Sequence, residues 1–370
     1  MIYLDNAATT LIKPHSVQSE MLRAMTIAAS PGRGAHPASM YASEIIYRCR
    51  EAAASLFNVP EPEMVVFTFN ATHALNIAIN SLARQGSRVL VSGYEHNSVT
   101  RPLAALGVNI EIAQANLFDA DALLEEFRNK IGMADLVVCT HVSNVFGFIL
   151  PIYEIAELCR KNSVPLIVDA SQSAGVLDLD FSRLGAEFIA MPGHKALFGP
   201  QGTGILLCRN KGKVLMSGGS GSESINQFMP QFLPDRHEAG THNVPGIAGL
   251  YAGINYVLAR GPGKIKEYEH ALINDIASEL STVHDLELFC GNYKTQSGVL
   301  SFRSRSIGSE EIAQRLAEEG VCVRSGLHCS PYSHRSAGTL ETGTVRISVS
   351  PFVTLENAWD FCRILQNLLM

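Results

Sequence analysis

The chain has 370 residues, 46% hydrophobic and 17% charged, which gives it enough apolar material for a full core and excludes a disordered protein. Its formal net charge of -6 comes with no basic run, so neither nucleic acid nor an anionic membrane is an expected partner. Met1-Ile2-Tyr3-Leu4-Asp5 lacks the basic start of a secretory signal and no apolar run is long enough to span a bilayer, so the expected location is the cytoplasm.

From Met64 to Leu207 short apolar runs alternate with helical patterns. The runs are Val65-Val66-Phe67, Arg88-Val89-Leu90-Val91, Leu136-Val137-Val138-Cys139, Leu166-Ile167-Val168 and Ile205-Leu206-Leu207, and helical periodicity marks 71–83 and 152–161. This pattern predicts an α/β fold with a parallel sheet covered by helices on both faces. Ligands of such sheets gather at the carboxyl ends of the strands, and Thr72, His96, Asn144 and Asp169 each fall just beyond one. After Gly246 the pattern changes to two long helical stretches, then strands near 299–302 and 345–348 flanking a helix at 310–319, which reads as a smaller α+β lobe. Ser217-Gly218-Gly219-Ser220-Gly221-Ser222 reads as a flexible loop.

The most informative feature is Asp169, at the end of an apolar strand, followed 26 positions later by Lys195 in Gly193-His194-Lys195-Ala196-Leu197-Phe198-Gly199. A pyridoxal-phosphate enzyme needs this pair: a lysine amine to hold the cofactor aldehyde as a Schiff base, and a carboxylate to keep the pyridine nitrogen protonated. Desolvation among glycines and apolar neighbours lowers a lysine pKa and frees the amine. Each candidate also has a plainer reading. Asp169 could cap a helix, His96 could be a polar residue at a helix start, and Thr72, in a helix opening suited to phosphate, could bind nothing. Gln172, three residues after Asp169, could reach the phenolic oxygen of the ring, and Arg346 could hold a substrate carboxylate or form a surface ion pair. The eight cysteines, at 49, 139, 159, 208, 290, 322, 329 and 362, include no Cys-x-x-Cys pair and no zinc spacing, so no metal is expected and a reducing compartment fits.

In order along the chain, Tyr3-Leu4-Asp5-Asn6-Ala7-Ala8-Thr9-Thr10, Glu95-His96-Asn97, His141-Val142-Ser143-Asn144, Val168-Asp169-Ala170-Ser171-Gln172, Gly193-His194-Lys195, Glu238-Ala239-Gly240-Thr241 and Arg324-Ser325-Gly326-Leu327-His328-Cys329 resemble the class V aminotransferases of fold type I, and within them the cysteine desulfurases. The resemblance covers nearly the whole chain. It implies a large cofactor-binding domain, 14–245, and a small α+β domain made of 1–13 and 246–370. It implies that Lys195 carries the pyridoxal phosphate, His96 stacks on its ring, Asp169 meets the pyridine nitrogen and Gln172 the phenolic oxygen. Thr72 and His194 are implied as phosphate ligands, with Thr241 supplied by the other subunit of a homodimer. Asn144 and Arg346 are implied to bind the substrate carboxylate, and Cys329 to take the sulfur as a persulfide, leaving alanine. Arg324 and His328 stand near enough in sequence to stabilise its thiolate.

The expected activity is a cysteine desulfurase or the closely related selenocysteine lyase, passing sulfur or selenium to an acceptor protein. Two other readings stay open: a class V aminotransferase or lyase acting on another small amino acid, and a non-catalytic regulator that binds cofactor or a partner. The intact set Lys195, Asp169 and His96 argues against the last, since binding alone needs no electron sink. The sequence departs from the desulfurase pattern at Pro192, where a serine is common, and at Ala71, beside Thr72, so a phosphate contact is lost or replaced. It departs again after Cys329, in Ser330-Pro331-Tyr332-Ser333-His334-Arg335, which leaves substrate and acceptor open.

Overall fold

The computed structural model describes residues 1–32 and 34–369. The chain opens with strand β1 (Ile2–Tyr3) and helices α1 (His15–Ile27) and α2 (Pro37–Phe57). Strand and helix then alternate through β2 (Val65–Thr68), α3 (Ala71–Leu82), β3 (Arg88–Ser92), α4 (Asn97–Ala105), β4 (Asn109–Ala113), α5 (Ala120–Lys130), β5 (Leu136–Thr140), α6 (Ile152–Asn162), β6 (Leu166–Asp169), α7 (Phe181–Leu184), β7 (Phe188–Pro192) and β8 (Gly204–Cys208). Helices α8 (Val244–Arg260) and α9 (Pro262–Leu280) lead to β9 (Leu286–Phe289), β10 (Val299–Ser304), α10 (Ser309–Glu318), β11 (Val321–Cys322), β12 (Arg324–Gly326), α11 (Pro331–Ser336), β13 (Thr344–Ser348) and α12 (Leu355–Leu369).

The large sheet has seven strands in the order β2-β8-β7-β6-β5-β3-β4, all parallel except β8, which runs against both neighbours. Its inner strands β5, β6 and β7 are buried along their whole length, which is why β5 and β6 read as unbroken apolar runs. From β3 the chain steps outward to β4 and returns to place β5 on the other side of β3, so the switch in strand order lies between β3 and β5. A crevice opens at the carboxyl ends of such a pair. His96 follows β3 and Asn144 follows β5, so both stand at this crevice.

The second sheet, β12-β13-β10-β9, is antiparallel and packs its inner face, with Phe302, Val345 and Ile347, against α9, α10 and α12 through Ile276, Leu316, Phe361 and Leu365. The N-terminal residues join this region: β1 pairs with β11, Asp5 bridges to Ser348, and Leu4 lies in the same core. Helix α8 behaves differently. It starts at Val244, beside the expected boundary, yet Val244, Ile247, Ala248, Leu250 and Ile254 enter the core of the large sheet, with α1 and α2 packed alongside. We therefore propose drawing the domain division after α8. Gly253 lets α8 press on the turn that follows Lys195, since a Cβ there would lie 2.1 Å from the Leu197 carbonyl oxygen. Among the described residues no helix is long and apolar enough to cross a membrane.

Candidate active site

The carboxyl ends of β3, β5, β6 and β7 and the start of α3 surround an open cleft of about 210 Å³. Thr72, His96, Asn144, Asp169, Gln172, His194 and Lys195 all line it, together with Ser98 and Asn70. Asp169 ends β6 and is 2% exposed. Its Oδ1 accepts the Ser171 N–H at 2.9 Å, and its second oxygen accepts from no described residue. A turn follows β6, so Asp169 caps no helix and one carboxylate oxygen remains for a ligand. Lys195 donates to no described residue. Burial pushes its amine down to about 8; Asp169 opposes this, while Arg346 and Arg324 add to it.

His96 combines both of its sequence readings: it caps α4 and lines the cleft. Its Nδ1 accepts the Ser98 N–H at 3.0 Å, which puts the proton of the neutral ring on Nε2. Burial holds the ring at about 4, against the pull of Asp169, so it is neutral at pH 7. At the start of α3, Asn70 Oδ1 accepts the His73 N–H at 2.9 Å, and the amides of Ala71 and Thr72 donate to no described residue. Thr72 is exposed there, its Oγ1 2.8 Å from Ser98 Oγ. These donors and the helix dipole suit an anion. His194 Nδ1 lies 3.0 Å from Thr9 Oγ1, and its carbonyl accepts Thr10 N–H at 3.1 Å. Gln172 Nε2 donates to Ala7 O at 2.9 Å, so the N-terminal segment is clamped over the Lys195 turn from two sides.

Arg346 and Cys329 lie beside this cleft and connect to it through Asn144. Arg346, on β13 and 2% exposed, donates from Nη2 to Asp5 Oδ1 at 2.7 Å and from Nη1 to Asn144 O at 2.9 Å. Its Nε is buried with no partner among the described residues, as is Asn144 Oδ1. Arg346 is thus neither a surface ion pair nor a free fork, but a buried guanidinium steadied by Asp5 with donor capacity left over. Asn144 Nδ2 donates to His328 O at 2.8 Å, and the Cys329 carbonyl accepts Asn97 N–H at 2.8 Å. Cys329 is exposed, whereas Cys49, Cys139, Cys159, Cys208 and Cys362 are buried.

The expectation that His328 stabilises a thiolate at Cys329 is not met. The His328 ring turns inward, with Nε2 3.2 Å from both the carbonyl and the hydroxyl oxygen of Thr344, and burial with Arg346 nearby pushes it down to about 2. A neutral imidazole offers no positive charge. Thr241 lies outside the cleft, in a separate hollow with Phe69, His73 and His242. Its segment is anchored by Glu238, whose carboxylate pairs with Arg50, accepts Phe67 N–H at 2.7 Å and lies 3.1 Å from His242 Nε2.

The family model for aminotransferase class-V matches residues 2–361. The chain belongs to the class-V aminotransferase family. A probable cysteine desulfurase of Methanothermobacter thermautotrophicus is 32% identical over 375 residues, spanning 96% of this chain and 91% of the relative. A cysteine desulfurase of Escherichia coli O8 is 30% identical, over 89% of this chain and 84% of its own. The apo structure of a cysteine desulfurase from Thermococcus onnurineus NA1 superposes with a TM-score of 0.92 at 30% identity, covering all of this chain and 94% of that one. This class-V chain therefore shares its fold and its enzyme class with solved desulfurases over its full length.

In this class-V site Asp5, Asn70, Asn97 and Ser98 have roles that the sequence did not assign. Asn70 carried a usable signal, as a helix-capping residue directly before Ala71-Thr72. Asp5 and Asn97 stood in motifs of the resemblance, but nothing in the sequence paired Asp5 with Arg346, 341 residues away.

Proposed function

We propose that the protein is a pyridoxal-phosphate-dependent cysteine desulfurase, which moves sulfur from L-cysteine onto Cys329 and releases L-alanine. The observation that carries this reading is the exposed Cys329, held through Asn97 and Asn144 to the cleft that contains Lys195 and Asp169. The desulfurase relatives support it. The residues fit the cofactor: among the described residues, a lysine amine without a partner, a buried carboxylate with one oxygen unspent, and free amides at a helix start all face one cleft. When bound, the cofactor would supply an electron-withdrawing ring at the substrate α-carbon.

In this reading Asp169 would keep the pyridine nitrogen protonated and Gln172 would meet the phenolic oxygen. Thr72, the Ala71 and Thr72 amides and His194 would hold the phosphate, with Thr241 contributed by a second copy in a homodimer. Arg346 would take the substrate carboxylate through the donors it has left, and Asn144 would orient it through the second hydrogen of Nδ2. Lys195, as free amine, would remove the α-proton, and His96 would cover the cofactor and pass protons from Nε2. The Cys329 thiolate attacks the substrate sulfur: an S–S bond forms, the C–S bond breaks, and its electron pair stays on the carbon fragment, which takes up protons to become alanine. An acceptor protein then collects the sulfur. The eight free cysteines support a reducing, cytoplasmic setting.

L-Selenocysteine presents the same carboxylate and amine to the same groups, and selenium leaves carbon more readily. The test is to assay cofactor-loaded wild type and Cys329→Ala with both amino acids. Cys329→Ala should lose sulfide release from cysteine and retain part of the selenide release from selenocysteine. Undiminished desulfuration would remove Cys329 from the reaction and move the protein to another class-V chemistry.

A further inference from the structure

Three serines spaced three apart, at the cap and along the face of α11, reach three consecutive carbonyls of the segment between β3 and α4. Ser330 Oγ donates to Glu95 O at 2.8 Å, Ser333 Oγ to Tyr94 O at 3.1 Å and Ser336 Oγ to Gly93 O at 2.8 Å. The Asn97 N–H to Cys329 carbonyl bond, 2.8 Å, continues the same seam. Residues at i and i+3 share a helix face, which sets the three hydroxyls in one row. Ser330 and Ser333 are 0% exposed and their hydroxyl oxygens lie 2.7 Å apart, with Ser143, next to Asn144, 3.4 Å from Ser333. Gly93 makes room for the last member: a Cβ there would lie 2.6 Å from Ser336 Oγ. The carbonyls of Gly93, Tyr94 and Glu95 belong to no strand or helix, and among the described residues these hydroxyls are the donors within reach of them.

We propose that Ser330, Ser333 and Ser336 are positioning residues that hold the Cys329 turn at a fixed distance from the segment ending in His96, an inference that rests on Cys329 being the sulfur acceptor. The turn needs holding. His328 and Cys329 both adopt left-handed backbone, φ 49° and 57°, which non-glycine residues keep only where surrounding contacts impose it. The seam supplies those contacts from one side, and Asn144 and Thr344 supply them from the other. None of the three serines lines the cleft, so cutting the seam leaves cofactor and substrate contacts in place and lets the thiol drift from the sulfur it must attack.

The test uses the cofactor-loaded protein and four variants. Ser336→Ala removes the hydroxyl at the half-buried end of the seam, Ser336→Thr keeps it, Gly93→Ala displaces it from the opposite side, and Ser333→Ala cuts the centre. The expected result for Ser336→Ala and Gly93→Ala is a fall of roughly tenfold in kcat for sulfide release, with KM for L-cysteine held within about twofold and the cofactor spectrum unchanged. Ser333→Ala should fall further, Ser336→Thr should recover most of the rate, and hydrogen exchange across 328–337 should quicken in the three disabling variants. An unchanged kcat in folded, cofactor-loaded Ser336→Ala, Gly93→Ala and Ser333→Ala overturns the proposal, as does a loss in Ser336→Thr as large as in Ser336→Ala. Should the wild type release no sulfide, the desulfurase reading fails by itself. Exchange over 328–337 then decides the seam, faster exchange in Ser336→Ala upholding it and unchanged exchange refuting it.

Discussion

Burial holds the Lys195 amine at about 8, so at neutral pH its free-base fraction exceeds that of a solvated lysine by roughly two orders of magnitude. Capture of added pyridoxal phosphate by cofactor-free protein should accordingly speed up with rising pH and level off above about 8, not above 10. Stopped-flow absorbance measures this, and borohydride reduction followed by peptide mapping should find the adduct on Lys195; an adduct on another lysine would refute the assignment. Arg346 makes a second prediction. A charge-assisted carboxylate contact contributes about 1.5–3 kcal/mol, so Arg346→Ala should weaken L-cysteine saturation by roughly tenfold to a hundredfold with the cofactor spectrum intact. Saturation at the wild-type concentration would reject that role. Lys195 and Asp169 were legible in the sequence because their chemistry demands those residue types beside a buried strand and a glycine turn. Asp5 at Arg346 was not, because only the folded small sheet brings the two ends of the chain together.

Among the elements, the segment carrying Thr241 is fastened to α2 and β2 by a single buried acid. Burial alone would raise the Glu238 carboxyl, but Arg50 and His242 outweigh it and bring it down to about 2. Its folded value lies below its ordinary value of 4.5, so its contribution to stability is complete above pH 4.5 and is lost as pH falls toward 2. Denaturant unfolding between pH 7 and 2 should show Glu238→Gln less stable than wild type at pH 7, with the difference shrinking as acid is added. A constant difference would show that the pair does not titrate in this way. The strands themselves divide by environment. β5, β6 and β8 stood out as apolar runs because both faces are covered, whereas β4, Asn109–Ala113, sits at the sheet edge and alternates exposed with covered residues. β7, Phe188–Pro192, is apolar and buried, but its final proline and the glycines that follow disguise it as a turn. The helical pattern from 246 was legible, while its attachment to the large core was not, since α1 and α2, against which α8 packs, lie two hundred residues earlier.

At the scale of the whole molecule, one chain gathers the amine, the carboxylate and the neutral histidine in a single cleft, ties the turn that carries the thiol to it through Asn144, and leaves Thr241 in a separate hollow. The proposed homodimer accounts for that residue by giving it to the neighbouring site. Mixing inactive Lys195→Ala subunits with inactive Thr241→Ala subunits should then restore part of the activity through hybrid sites, and a fully active monomer in sedimentation would contradict the arrangement. The central claim is that substrate sulfur passes through Cys329, and one measurement reaches it directly. Cofactor-loaded protein is given one equivalent of L-cysteine without reductant, quenched, and mapped by peptide mass spectrometry while alanine is counted. The expected result is one added sulfur on the peptide carrying Cys329, in step with alanine; alanine formed with Cys329 unmodified, or the sulfur found on another cysteine, would contradict passage through Cys329.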